Sequence, residues 1–213
     1  MLDTGKLTDV IYTAGKVFDN LRSDRLATQS FISNGDIRGI ASRADLELLK
    51  DLNDAAKIIL ECHNNNISLS PSVVISINSA MTRSAALRPG VFRQDSDNIG
   101  VSTRFGDHRP FAVQETDLQK FINEASVLSI EKAAATLFVS IAKAQPFGDG
   151  NKRTALLAAN LLLLPSNKIL TVPFKDDDPE VSAKFNDLLA RAYIYDEVDA
   201  CVDYMASRGI MPF

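Results

Sequence analysis

The sequence predicts an all-α fold carrying one small β-hairpin. Over most of its 213 residues, apolar side chains recur at helical spacing between recognisable start and stop signals. One glycine- and proline-rich segment breaks that pattern and supplies the hairpin. A composition 46% hydrophobic and 23% charged is enough for an ordinary core. The chain is therefore expected to be a single domain over 1–213.

The elements follow in order. Ser42 with Asp45 forms a capped start, after which Leu49, Leu52, Ala56 and Ile59 mark a helical face until His63-Asn-Asn-Asn66 stops it. Ser70-Pro71 opens the next helix as a cap followed by proline in the first turn, and Val74, Ile77 and Met81 form its stripe. Residues 84–111 hold Pro89, Gly90, Gly100, Gly106 and Pro110, with β-favouring pieces at Val91-Phe92 and Ile99-Gly100-Val101. A loop of that length in a helical domain points to function. Ile130, Ala134, Leu137, Phe138 and Ile141 then form a face leading to Gln145. Lys152 to Leu164 is apolar almost all round, the mark of a central helix, and Pro165 ends it. Two further helices, over 178–193 and 196–209, complete the chain, with Gly209 closing the second.

Several function classes drop out. A net charge of −4 argues against a general nucleic-acid binder. No apolar run is long enough to span a bilayer, and the N-terminus lacks the apolar core of a signal peptide. Cys62 and Cys201 lie far apart without metal-ligand spacing, so neither a disulfide framework nor a cysteine metal site is expected. The expected compartment is the cytoplasm, although an effector exported without a cleaved signal would share these features.

The chemistry concentrates in Gln145-Pro-Phe-Gly-Asp-Gly-Asn-Lys-Arg-Thr154. Gly148 and Gly150 free the backbone to turn tightly, so that successive N–H groups can face one point. The helix starting near Asn151 adds unpaired N–H groups and the positive end of its dipole. Lys152 and Arg153 add charge, and Asp149 offers a hard oxygen suited to Mg²⁺. These parts suit a metal-bound nucleotide phosphate. Read locally, the same turn is equally an ordinary helix junction with two solvated cations. It is not a Walker loop, because Asn151 rather than glycine precedes Lys152, and no strand comes before it as a dinucleotide fold requires.

This stretch resembles the signature of the Fic/Doc family, H-P-F-x-D/E-G-N-G/K-R, and departs from it only at the first position. The resemblance implies a helical bundle with a β-hairpin flap, its core at about residues 30–205 with a helical extension over 1–30, and a protein that moves AMP from ATP onto a hydroxyl of a target protein. It implies that Asp149 holds Mg²⁺ on the phosphates, that Gly148, Gly150, Asn151 and Lys152 form the anion turn, and that Arg153 clamps an outer phosphate. The flap would present Ile99, Gly100 and Val101 to an extended segment of the target. Lys152 resembles the Doc branch, which transfers a phosphoryl group, whereas Gly150 stands where that branch usually has alanine.

The departing position matters most. The family histidine takes the proton from the attacking hydroxyl, and Gln145 can hydrogen-bond but cannot carry a proton away. Transfer is therefore expected to be weak or lost while nucleotide binding persists. The alternatives are an active transferase with another proton route, such as His108, or a non-catalytic interaction scaffold. Many relatives of this kind restrain themselves with a helix bearing S/T-x-x-x-E-G/N, whose glutamate pairs with the motif arginine. The nearest match is Asn34-Gly-Asp-Ile-Arg-Gly39, which puts Arg38 in the place of the acid and makes it a candidate regulatory residue.

Overall fold

The first helix, α1 (Thr8–Asp19), ends where Asn20 turns left-handed. Side-chain caps open the next three. Asp24, Ser42 and Ser70 accept hydrogen bonds from the N–H groups of Ala27, Asp45 and Val73 at 2.8, 3.0 and 3.4 Å. They start α2 (Arg25–Asn34), α3 (Arg43–Asn64) and α4 (Pro71–Ser79). The computed structural model describes residues 2–85 and 88–213, so positions 86 and 87 of the expected 84–111 loop lie outside it.

Within that loop the hairpin is β1 (Val101–Thr103) paired antiparallel with β2 (Gly106–His108), Val101 facing His108. Ile99 and Gly100 lie just before the strand instead of in it. Gly100 passes so close to the returning chain that a Cβ there would sit 2.4 Å from the carbonyl oxygen of His108. Phe92 makes an isolated antiparallel bridge with Phe147, tying the start of the loop to the signature turn.

Then come α5 (Glu115–Ser126), α6 (Ile130–Ala144), α7 (Asn151–Leu163), β3 (Lys168–Leu170), α8 (Pro179–Tyr195), α9 (Val198–Arg208) and β4 (Ile210–Pro212). Neither α5 nor the β3–β4 pair is among the elements expected above. Gln114 opens α5 through a reciprocal cap with Asp117, a signal that a search for Ser or Thr passes over. The β3–β4 pairing joins segments about forty residues apart, beyond the reach of local pattern.

The architecture is all-α with two small two-stranded sheets among the described residues. At its centre α6 and α7 form a helical hairpin, and α7 is covered by α1, α3, α4 and β3 as well. Ala155, Leu156, Ala158, Ala159 and Leu163 are fully buried, as a helix apolar on every side requires. The one polar member of that run, Asn160, is satisfied by the backbone of Leu156 and Leu170, which pins β3 to α7. Leu7, Val10 and Ile11 belong to the same core, so the first thirty residues pack with the rest. Both cysteines are free and buried. Among the described residues no helix is long and apolar enough to cross a membrane.

Candidate functional site

The signature turn joins the end of α6 to the start of α7. Gln145 leaves α6 in left-handed backbone, φ 47° and ψ 62°, a conformation that a non-glycine residue adopts only when its surroundings hold it. Its carbonyl accepts a 2.6 Å hydrogen bond from Nε of the buried Arg93. Phe147 is wholly buried and stacked on Phe92 with centroids 5.5 Å apart. The side chain of Asn151 closes the turn on itself, accepting from the Phe147 N–H and donating to the Phe147 carbonyl, both at 2.9 Å. What Asn151 can offer an anion is therefore its main-chain N–H.

Gly150 opens α7 at φ 71°. A Cβ there would lie 2.8 Å from Met81 Sδ and 3.2 Å from Asn78 Nδ2, so the position takes glycine on two counts. Asn78 itself is buried and donates to the Asp149 carbonyl and Thr154 Oγ1, each at 3.0 Å. Its Oδ1 accepts from the Gly90 N–H, so one amide joins α4, the turn and the approach to the hairpin. With Thr154 N–H bonded to the Gly150 carbonyl, the helical ladder starts there, and the N–H groups of 151–153 have no partner inside the helix.

The structure brings Ile99, Gly100, Val101, Gln145, Gly148, Asp149, Asn151, Lys152 and Tyr193 around one cavity of about 110 Å³. A second cavity, about 330 Å³, adjoins it and shares Val101, Lys152 and Tyr193. The hairpin covers this second space, with its tip fastened to α8. Arg104 pairs with Asp187, and Phe105 packs 5.5 Å from Tyr195 beneath the Arg191 guanidinium. Tyr195 thus serves the flap tip.

Asp149 is half exposed, and one of its oxygens accepts from the Gly150 N–H at 2.6 Å. Among the described residues no cluster of three or more potential ligands could bind a metal unaided. A single carboxylate facing a phosphate-sized space matches the way Mg²⁺ is usually held, by one or two carboxylates with the substrate phosphates.

The two cations differ in surroundings. Lys152 points its ammonium over the Phe18 ring at 4.8 Å, and burial pushes its pKa down against the pull of Asp19. The Arg153 side chain is only 4% exposed. It lies 3.6 Å from Asp19 and 3.7 Å from Asp149, and Nη1 donates to Ser84 Oγ at 2.8 Å. Burial raises the Asp19 pKa, opposed by Arg153 and Lys152, and its Oδ2 is buried without a hydrogen-bond partner among the described residues.

Two candidates stand elsewhere. Arg38 is exposed and binds Asp36, Nη2 to Oδ2 at 2.7 Å; the residue facing Arg153 is Asp19, at the end of α1. His108 is one layer behind the cavity wall, stacked on Tyr193 at 4.8 Å, with Nε2 2.7 Å from the Lys143 carbonyl. A carbonyl can only accept, so Nε2 carries the proton and cannot take another. Asn78, Arg93, Ser84 and Asp19 all shape the site without lying in its signature. Only Asp19, an acid followed by a turn-forming asparagine at a helix end, carries a local signal.

Comparison with known proteins agrees with this fold. Residues 68–163 match the family model of the Fic/DOC family, which spans α4 to α7 with the hairpin and the signature turn. A Fic domain containing signaling protein from Bacteroides thetaiotaomicron superposes with a TM-score of 0.72 at 19% identity, over 94% of this chain and 81% of that one. Fic-1 (residues 134–508) from C. elegans gives 0.71 at 15% identity, over 98% and 64%. BepC, a VirB-translocated effector from Bartonella tribocorum solved with bound AMPPNP, gives 0.50 at 14% identity, over 85% and 91%. No curated protein matches the chain.

Proposed function

We propose that this chain, whose residues 68–163 match the Fic/DOC family model, binds a nucleoside triphosphate with Mg²⁺ and is a transfer-impaired relative of proteins that move AMP onto a protein hydroxyl. The observation that carries the reading is the convergence of Gln145, Asp149, Lys152 and the hairpin approach on one cavity at the start of α7. The AMPPNP bound to the Bartonella tribocorum protein supports the same ligand class.

The geometry supports the following roles. The free N–H groups of 151–153 and the positive end of α7 attract the phosphates. Asp149 would hold Mg²⁺, which supplies charge neutralisation to the phosphates when bound. The larger cavity beneath the hairpin takes the nucleoside, with Tyr193 on its wall. The chain before β1 offers backbone groups to an extended target segment.

Gln145 lines the cavity where the proton acceptor belongs, and a primary amide does not titrate in the useful range. Loss of a general base slows transfer by roughly 10²–10⁴. Regulation is assigned to Asp19 rather than to Arg38. Gly15-Lys-Val-Phe-Asp-Asn20 ends with an acid and asparagine, as the inhibitory pattern does, with glycine in place of its Ser or Thr. Asp19 then competes with a phosphate for Arg153.

Gln145→His tests the impaired step. With α-labelled ATP and a mixture of candidate targets, the histidine variant should label protein roughly 10²–10⁴ faster than the parent. Equal labelling by the two would show that residue 145 does not limit transfer.

A further inference from the structure

The contacts of Arg153 are unequal, and the inequality says which of them fixes it. Asp19 and Asp149 stand 3.6 and 3.7 Å away, beyond hydrogen-bond length. Among the described residues only Ser84 Oγ, at 2.8 Å from Nη1, makes a full hydrogen bond with the side chain. Ser84 is in turn held by α3. The wholly buried Asp51 accepts from Ser84 Oγ at 2.8 Å, Ser84 N–H at 2.7 Å and Arg83 N–H at 2.9 Å. Its other oxygen accepts from Arg83 Nη1 at 2.8 Å.

The direction of these bonds is forced. A carboxylate only accepts and a guanidinium only donates, while the hydroxyl has one proton. Ser84 must therefore give its proton to Asp51 and turn a lone pair to Arg153. The anchor grips one end of the guanidinium. Among the described residues, Nε and Nη2, on the side of Asp19 and Asp149, carry no close bond that an incoming anion would have to break.

We propose that Ser84 and Asp51 are positioning residues that hold the Arg153 guanidinium aimed at the outer phosphates of the bound nucleotide. This rests on the nucleotide-binding reading above. It assigns the orientation of Arg153 to a serine 69 positions away and a carboxylate on a helix outside the matched family segment.

Calorimetric titration of the full chain with ATP, ADP and AMP, each with Mg²⁺, tests it. Ser84→Ala should weaken ATP and ADP about tenfold, the scale of one hydrogen bond to a charged group, and leave AMP within about twofold. Ser84→Thr, which keeps the hydroxyl, should restore ATP affinity. An unchanged ATP affinity in Ser84→Ala, or an equal loss for AMP, overturns the proposal. If the parent chain binds none of the three, the functional reading fails by itself, and NMR of the Arg153 guanidinium decides the anchoring. Restricted rotation about Cζ–Nη1 in the parent and free rotation in Ser84→Ala supports the anchor; the same rotation in both refutes it.

Discussion

Gln145 and Gly150 bracket the signature turn, and both have left-handed backbone. They reach it by different means. Gln145 is held by the hydrogen bond from Arg93 to its carbonyl, whereas Gly150 needs no help because it lacks a Cβ. Gly150→Ala should therefore lower stability by about 1–3 kcal/mol from backbone strain. Contact with Met81 Sδ adds to that cost and tilts the N–H groups of 151–153. Denaturant unfolding with a parallel nucleotide titration would check both; an alanine variant as stable as the parent would contradict the strain. Glycine here was legible from the sequence because the turn is contiguous. Arg93 was not, since its target is a backbone carbonyl 52 positions away.

Among the elements, α1 stands in a double role. Its middle, through Val10, Ile11 and Ala14, is part of the core, while its end places Phe18 on Lys152 and Asp19 by Arg153. The loop that follows is fixed by Asp45 of α3, which accepts from the N–H groups of Arg22 and Ser23 and from the Ser23 hydroxyl. If Asp19 competes with phosphate, Asp19→Asn should bind Mg-ATP more tightly, by about fivefold for about 1 kcal/mol of lost competition. The acid's raised pKa gives the matching pH effect. As pH falls through a value above the usual carboxylate range, Asp19 protonates and releases Arg153, so parent affinity should rise toward that of the variant. Titrations at several pH values would show it; a parent and variant that respond alike would remove Asp19 from the competition. The helix was foreseeable as a helical segment, but its partner was not. Residues 15–20 and 34–39 both match the inhibitory pattern loosely, and a six-residue match cannot report which of them reaches Arg153.

On the scale of the whole molecule, the site is an assembly of distant parts around one helical hairpin. The buried α6–α7 pair fixes the turn, α3 pins the loop that follows Asp19 and the one that carries Ser84, and α8 holds the hairpin tip through Asp187, Arg191 and Tyr195. Helical spacing revealed the apolar hairpin, and the signature revealed the turn, because both are local. The β3–β4 pair, the Arg153 partners and the flap fastening depend on contacts across the chain, which spacing cannot encode. The central claim is that these parts form a pocket for a metal-bound polyphosphate. Calorimetric titration of the parent chain with ATP, with and without Mg²⁺, beside Asp149→Ala, tests it most directly. The account predicts saturable binding strengthened by Mg²⁺ in the parent, with the Mg²⁺ effect gone in Asp149→Ala. No binding by the parent, or an undiminished Mg²⁺ effect in the variant, would contradict it.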